Sequence, residues 1–197
     1  MKFSFFLFVL SGTIVVCSKA VVQPMYFCTA ANSLYMPQLR NLIGSLHKVH
    51  FDDIGEIMVF NIGLSCENKK EIDRIAKVKL YEVEKVHPDI LNPFLISHIS
   101  GKKVSGWYAW KPVCIKQALD KVPYVLRIDA GEVVLRSLHD LFEHIREHGY
   151  FLHTSNNSMT HIGMYCVRFV VQQFLLDDLG QRWLTESRTV EADFQGV

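Results

Sequence analysis

Short apolar segments alternate along the chain with segments of helical periodicity, and this alternation predicts the fold. The apolar segments have the length and composition of buried strands, and they cover residues 25–30, 56–63, 78–84, 124–129 and 150–155. Apolar residues recur every three or four positions over residues 32–50, 65–77, 107–122 and 137–149, which predicts helices. The order is that of an α/β protein with a mainly parallel sheet flanked by helices on both faces.

Residues at the helix ends support these boundaries. Asn32 or Ser33 can cap the first helix and Ser65 the second, because their side-chain oxygens accept hydrogen bonds from the unpaired N–H groups of a first turn. Gly149 can end the fourth helix in the left-handed conformation that glycine tolerates. Three apolar residues of the second helix are expected to face the sheet: Ile72, Ile75 and Ala76.

Residues 85–105 interrupt the alternation. They contain Pro88, Pro93 and Gly101, which do not continue a strand or a helix. We therefore expect an irregular insertion over one edge of the sheet, with a short helix at 90–98.

The first twenty residues differ from the rest of the chain. Lys2 precedes an apolar segment at residues 3–17, and Ser18-Lys19-Ala20 is a suitable cleavage site. This layout predicts a signal peptide over residues 1–20, or a short signal anchor that associates with a membrane through residues 3–17. The expected location is the secretory pathway or the extracytoplasmic space. Residues 21–197 then form one α/β domain, which we expect to be incomplete at its carboxyl end, because "VEADFQGV" resembles the start of another strand.

Composition and charge exclude several classes of protein. Hydrophobic residues make up 49% of the 197-residue chain and charged residues 21%, so it is globular rather than disordered or a coiled coil. The formal net charge is +1, without a basic patch, so no nucleic-acid partner is expected. Neither GxGxxG nor GxxxxGK[ST] occurs, and an α/β protein that binds phosphates without such a loop needs another counter-charge, for example a divalent cation.

Cysteine and histidine spacing gives no zinc site. No C-x-x-C pair is present, and Cys28 and Cys114 lie inside apolar segments, where small core residues are expected. His144 and His148 have the i, i+4 spacing of two ligands on one helix. The apolar stripe of that helix turns them towards solvent, so we expect surface histidines.

The segment "YVLRIDAGEVVLRSL" carries the clearest candidate chemistry. An apolar strand ends at Asp129, and Glu132 follows three residues later. In an open α/β sheet, ligands bind beyond the carboxyl ends of the strands, where this acidic pair is placed. The pair is either a turn that Asp129 caps, or a site for Mg²⁺ or Mn²⁺, which prefer carboxylate oxygens and substrate phosphates.

Three segments resemble one enzyme family. "YVLRIDAGEVVLRSLHDLF" is similar to the D-x-D segment of nucleotide-sugar-dependent glycosyltransferases of the glycosyltransferase-A fold, in particular the glycogenin and galactosyltransferase-like families. "YAWKPVCIKQAL" resembles the helix that precedes this motif, and "YFCTAANSLYMPQLRNLIGSL" resembles the opening strand and nucleotide-binding loop. The resemblance covers residues 24–154.

The resemblance implies transfer of a sugar from a nucleoside diphosphate sugar to an acceptor that the sequence does not identify. It also implies a nucleotide-diphospho-sugar transferase-like fold and a divalent cation, Mn²⁺ or Mg²⁺. The implied substrate-binding residues are Thr29, Asn32, Tyr35, Lys111 and Asp129, and the implied metal ligands are Asp129 and Glu132. No catalytic base is selected.

The chain departs from the family pattern at one position of the site. Gly131 stands where the family has the second aspartate, so Glu132 would have to replace it from one residue later. This departure keeps a second hypothesis open, a non-catalytic secreted carbohydrate- or nucleotide-binding protein on a decayed transferase scaffold. A sugar nucleotidyltransferase is disfavoured, because its Gly-rich basic loop after the first strand is absent.

Overall fold

The computed structural model describes residues 7–10, 13–16, 23–95, 103–154 and 190–197. In chain order the strands of these residues are β1 Leu7–Leu10, β2 Thr13–Val16, β3 Met25–Ala31, β4 Ile54–Asn61, β5 Val78–Glu82, β6 Pro93–Leu95, β7 Lys103–Ser105, β8 Leu126–Ile128, β9 Phe151–Thr154 and β10 Val190–Gly196. The helices are α1 Met36–His50, α2 Cys66–Ile72, α3 Trp110–Leu119 and α4 His139–His148, with 3₁₀ turns at Ser33–Tyr35 and Gly106–Tyr108.

Six strands form the central sheet, in the order β5-β4-β3-β8-β10-β9. The pairs β5–β4, β4–β3 and β3–β8 are parallel. Strand β10 runs antiparallel to both of its neighbours, β8 and β9. The prediction of a mainly parallel sheet is therefore confirmed, and the strand expected at "VEADFQGV" forms inside the sheet rather than at its edge.

The two faces of the sheet bury two separate apolar clusters. Side chains alternate along β3, so Phe27 packs on the side of α1 and α4, where its ring centre lies 5.3 Å from that of Phe142 in an edge-to-face arrangement. Cys28 points to the other face and packs in a cluster with Trp110 and Cys114 of α3. Helices thus cover both faces, and the prediction that Cys28 and Cys114 are core residues is confirmed.

Two local predictions are wrong. Helix α2 ends at Ile72 rather than near residue 77, and the chain turns there, so Ala76 is exposed although Ile72 is fully buried and Ile75 packs against the core. The short helix expected at 90–98 is absent from the described part of that range, where a turn leads into β6. β6 pairs instead with β7 as a small antiparallel sheet. Residues 96–98 lie outside the described residues.

Helix α1 holds the segment that follows the acidic turn. The hydroxyl of Ser45 accepts a hydrogen bond from the backbone N–H of Val134 at 2.9 Å. One turn further along α1, Nε2 of His50 accepts a hydrogen bond from the N–H of Leu138 at 3.0 Å. Residues 134–138 therefore run along α1, which fixes both the turn before them and the start of α4.

The amino-terminal residues contribute a small separate sheet. Strands β1 and β2 pair with each other in antiparallel register. Among the described residues, no helix has both the length and the apolar composition that crossing a bilayer requires. The signal peptide or anchor over residues 1–20 and the domain limits at 21–197 stay predictions.

Candidate functional site

A cavity of about 370 Å³ opens at the carboxyl ends of β3 and β8. This volume lies within the range of ligand pockets, and the position is the one where parallel α/β sheets bind their ligands. Five residues selected from the sequence line this cavity: Asn32, Tyr35, Lys111, Asp129 and Glu132. The other lining residues are Ala30, Ala31, Ile62, Lys103, Ser105, Tyr108, Trp110, Ala130 and Gly131.

Thr29, the sixth residue selected from the sequence, does not line the cavity. Strand β3 continues to Ala31, so Thr29 lies within the sheet and is buried. Its hydroxyl oxygen has no hydrogen-bond partner among the described residues. The strand places Ala30 and Ala31 at the cavity instead, and these small side chains leave room for a ligand close to the backbone.

The loop after β3 has a rigid backbone and presents an exposed ring. Oδ1 of Asn32 accepts hydrogen bonds from the N–H groups of Leu34 and Tyr35, at 3.0 and 3.3 Å, so Asn32 rather than Ser33 is the cap. Ser33 ties this loop to the next one, because its hydroxyl accepts a hydrogen bond from the N–H of Ser65 at 2.7 Å. The side chain of Tyr35 stays half exposed beside the cavity, where its ring can stack on a planar ligand.

Asp129 is held between two cationic side chains. Nζ of Lys111, the second residue of α3, lies 3.0 Å from Oδ2 of Asp129. The guanidinium of Arg127 donates a hydrogen bond to Oδ1 of the same carboxylate. Both carboxylate oxygens are therefore engaged by positive charge, and Lys111 is held at the cavity wall by Asp129.

Arg127 is a part of the site that the sequence analysis missed. It lies in the middle of β8 and is only 1% exposed. Its guanidinium lies 5.9 Å from the ring centre of Trp110, and its charge is offset by Asp129. The sequence could have indicated this role, because Arg127 is a charged residue inside the apolar run "YVLRID", and an arginine buried in a strand needs a specific partner.

The two thiols next to Arg127, those of Cys114 and Cys28, are unreactive. Burial raises the pKa of Cys114 to about 12. Burial raises the pKa of Cys28 as well, although the charge of Arg127 opposes this shift. Both thiols therefore stay protonated at neutral pH, and Asp129 remains the acidic partner of Arg127 in this part of the core.

An aromatic wall stands beside Lys111. Nζ of Lys111 lies 5.2 Å from the ring centre of Tyr108 and 6.0 Å from that of Trp110. Trp110 is buried, and its indole N–H donates to the carbonyl of Ser105 at 3.1 Å. Gly106 makes the turn before this wall possible, because its φ is +52° and a Cβ there would lie 1.8 Å from the carbonyl oxygen of Ile90.

The surroundings of Asp129 and Glu132 do not fit a divalent cation in the observed arrangement. An ion on the Asp129 carboxylate would lie beside Lys111 and Arg127, and two unit charges 4 Å apart repel by about 4 kcal/mol near a protein surface, a cost that a dication doubles. Glu132 is exposed, and its backbone N–H closes a turn on the carbonyl of Asp129 at 3.0 Å. A metal-binding role for Asp129 and Glu132 stays a prediction, and the positive charges of Lys111 and Arg127 beside Asp129 disfavour it.

Among the described residues, the side chains that can bring three ligand atoms together are those of His50, Asp53 and His139, whose candidate atoms lie within 4.8 Å of one another. Asp53 directly precedes β4, so this cluster lies at the amino ends of the strands, away from the cavity. Nε2 of His50 already accepts the hydrogen bond of Leu138, so a neutral His50 carries its proton on Nδ1 and offers a metal no lone pair. In this arrangement His50 is not available to a metal, which leaves Asp53 and His139 as the candidate ligands of the cluster.

The histidines of α4 are on the surface, as expected. His144 and His148 are both exposed, and their rings stack with centres 4.2 Å apart. The apolar stripe that turns them outward contains Phe142 and Ile145, which are buried against the sheet.

Comparison with known proteins identifies the fold. No family model and no curated protein matches the sequence. The structure is similar to that of the galactosyltransferase LgtC in complex with donor and acceptor sugar analogues, with a TM-score of 0.57, 19% sequence identity, and coverage of 88% of this chain and 57% of LgtC. It is also similar to the mannosyltransferase Ktr4p from S. cerevisiae in complex with GDP, with a TM-score of 0.52 and 12% identity over 89% of this chain and 56% of Ktr4p.

A third similar structure is mouse xyloside xylosyltransferase 1, with a TM-score of 0.51 and 10% identity over 88% of this chain and 67% of that enzyme. The chain spans a little more than half the length of LgtC and Ktr4p. At these identities the likeness concerns the fold, which is the glycosyltransferase-A fold that the motifs led us to expect.

Proposed function

We propose that this protein is a glycosyltransferase that uses a nucleoside diphosphate sugar as donor. The observation that supports this most strongly is the position of Lys111, a cation fixed by Asp129 at the carboxyl end of the sheet, beside a ligand-sized cavity in the glycosyltransferase-A fold. A diphosphate is the part of such a donor that requires positive charge.

The lining of the cavity divides into a part suited to the nucleoside and a part suited to the diphosphate. Tyr35 and Asn32 lie on the loop after β3, where the exposed ring can stack on the base. Lys111 and Lys103 bring positive charge to the other lining elements, α3 and β7.

Charge stabilisation is the chemical contribution of the described residues. Cleavage of the bond between the sugar and the diphosphate develops negative charge on the leaving group, and a preorganised cation lowers the barrier by stabilising that charge. Asp129 keeps the ammonium of Lys111 in place before the reaction starts, so little reorganisation is needed. No acceptor and no catalytic base is part of the proposal.

A second candidate function is binding without transfer. Gly131 removes a carboxylate from the turn after β8, and a transferase scaffold that has lost its chemistry can still bind nucleotides or carbohydrates. Both candidates require the same cavity, and they differ in whether the donor bond is broken.

Titration calorimetry of the full chain with UDP and with GDP tests the proposal. We expect one of the two to bind, and Tyr35→Ala to weaken this binding about tenfold, as loss of a stacking partner does. Tyr150→Ala removes an exposed tyrosine that does not line the cavity, and it should leave binding unchanged. Release of the nucleoside diphosphate from its sugar conjugates then separates a transferase from a binding protein. A folded sample that binds neither nucleotide contradicts the transferase and the nucleotide-binding function, and leaves carbohydrate binding as the second candidate.

The location of the protein is a separate proposal. The layout of residues 1–20 indicates entry into the secretory pathway, by a cleaved signal peptide or a short anchor. Amino-terminal sequencing of the protein from the culture medium or the lumen of the secretory pathway tests this. A mature protein that begins near residue 21 supports cleavage, and an intact Met1 in a membrane fraction supports the anchor.

A further inference from the structure

Among the side chains that the structure describes, those around Asp129 carry more positive than negative charge. Lys103 and Lys111 line the cavity, and Arg127 lies beneath it, against two carboxylates, Asp129 and Glu132. A site that recruits a divalent cation by charge needs the opposite balance, because carboxylates attract the ion and phosphates then complete its shell. The balance observed here attracts the diphosphate itself.

The geometry of Asp129 leads to the same conclusion. Oδ2 accepts from Lys111 at 3.0 Å and Oδ1 accepts from Arg127, so the negative charge of this carboxylate is matched on both sides. A carboxylate between two fixed cations has a weak attraction for a third, and a dication placed there would be repelled by both. Asp129 in this arrangement orients Lys111 rather than a metal ion.

Gly131 removes the second aspartate of the family pattern from the same turn. The family pattern has a carboxylate at this position, and this chain has no side chain there, although a Cβ at Gly131 would meet nothing within 4 Å. There is therefore room for a side chain at this position, but the carboxylate that could bind a metal ion is missing. Glu132 is exposed at the rim of the cavity, one residue beyond.

We infer that the site binds the diphosphate of its donor without a divalent cation, and that Lys111, held by Asp129 and supported by Arg127, supplies the charge that a metal ion would otherwise supply. This inference rests on the proposed function, because it concerns how the same donor is held. Lys103 on β7 is a second cation that lines the cavity. Asp129 is a positioning residue in this scheme.

Titration of the full chain with UDP and GDP, in EDTA and in Mn²⁺, tests the inference. We expect the dissociation constant of the bound nucleotide to differ by less than about threefold between the two buffers. Binding that is stronger in Mn²⁺ by about threefold or more overturns the inference and leaves the proposed function standing. Absence of binding in both buffers, by a sample with the circular dichroism of a folded α/β protein, overturns the proposed function and this inference with it.

Two lysines of α3 provide a matched pair of variants. In EDTA, Lys111→Met should weaken nucleoside diphosphate binding at least about tenfold, because it removes the fixed cation at the cavity. Lys116→Met removes an exposed lysine of the same helix that pairs with Asp120 outside the cavity, and it should bind like the parent chain. Equal binding by both variants overturns the role of Lys111.

Asp129→Asn separates positioning from metal binding. A metal-ligand role predicts that the variant loses nucleotide binding in Mn²⁺ and that the parent chain does not bind in EDTA. A positioning role predicts that the variant still binds in EDTA and that its affinity does not respond to Mn²⁺. Retained binding that becomes stronger with Mn²⁺ in both proteins overturns the inference.

Discussion

Nε2 of His50 lies 3.0 Å from the backbone nitrogen of Leu138, a residue 88 positions further along the chain. This bond joins the end of α1 to the start of α4, and it requires Nε2 to be unprotonated. Nδ1 of the same ring is 3.7 Å from the carboxylate of Asp53, which also lies 3.2 Å from Nε2 of His139. The protonation state of one buried ring therefore controls how the segment after the acidic turn is attached to the fold.

The stability of the protein should fall when the pH drops below the ordinary pKa of histidine. Burial lowers the pKa of His50 in the folded state, and the nearby carboxylate of Asp53 only partly opposes this. The unfolded chain binds a proton near pH 6.5, whereas folded His50 resists it, so the free energy of unfolding is greatest above about pH 6.5 and decreases below it. Burial also lowers the pKa of His47, which adds to the effect in the same direction.

Urea unfolding between about pH 7.5 and pH 5 measures this dependence. His50→Gln supplies an amide oxygen for the N–H of Leu138 and cannot be protonated in this range, so its stability should depend less on pH than that of the parent chain. His144→Gln, at an exposed position of α4, should retain the parent dependence. Identical pH profiles for the parent and His50→Gln would contradict the assignment.

Gly131→Asp should convert the site to metal dependence. A Cβ at this position meets nothing within 4 Å, so the variant should fold, and its carboxylate adds a negative charge close to Asp129. We expect binding of UDP or GDP in EDTA to weaken about tenfold, and Mn²⁺ to restore it, because a hard dication is bound by paired carboxylates.

Val133→Asp is the control for this prediction. It adds the same charge two residues later, at an exposed position that does not line the cavity. Calorimetry should show no response of this variant to Mn²⁺. A Gly131→Asp protein that binds in EDTA as well as the parent chain does would show that the charge balance of the turn has no influence on the ligand.

Arg127→Met should lower the free energy of unfolding by more than the change in side-chain volume alone would cause. Removal of one partner from a fully buried ion pair lowers the free energy of unfolding by about 3–5 kcal/mol. Here we expect a loss of about 2 kcal/mol, because a third of the Asp129 side chain is exposed and its carboxylate keeps its contact with Lys111. A double-mutant cycle with Asp129→Asn, measured by urea unfolding, isolates the coupling between the two residues. Additive effects of the two substitutions would show that the pair does not stabilise the fold.

The order of strands and helices could be predicted from the sequence because the signals are local. The alternation of apolar runs with helical periodicity places β3, β4, β8 and α1 within a few residues of their observed bounds. The acidic turn was found for the same reason, since it follows a recognisable strand, whereas Lys111 was selected by its resemblance to a family motif. The two errors, at Ala76 and in residues 90–98, lie where short elements end and local propensity is weak.

The contacts that define the site are long-range, and the sequence does not show them. Lys103 reaches the cavity because β7 pairs with β6, a pairing that the Pro and Gly residues of this region concealed. Arg127 and Cys28 are register partners on neighbouring strands, a relationship that exists only after β3 and β8 have paired. Thr29 was selected by resemblance to the family's nucleotide-binding loop, and it is buried because β3 lies inside the sheet and continues two residues beyond it.

Gly106→Ala should disrupt the aromatic wall of the cavity. Gly106 has a φ of +52°, and a methyl group there would lie 1.8 Å from the carbonyl oxygen of Ile90, so the turn that leads into Tyr108 and Lys111 must move. We expect a loss of stability and, more specifically, a nucleoside diphosphate affinity that is lower by about tenfold, because the cation at the cavity is displaced. Thermal unfolding and calorimetry on the same sample measure the two effects.

Gly44→Ala is the matched control for Gly106→Ala. Gly44 lies inside α1, where an added Cβ meets nothing within 4 Å, so the same substitution should stabilise the helix by about 0.5–1 kcal/mol and leave nucleotide binding unchanged. Opposite signs for the two substitutions would show that the conformation of Gly106, rather than the loss of a glycine as such, maintains the site. A Gly106→Ala protein with the affinity of the parent chain would mean that the wall is not needed to position Lys111.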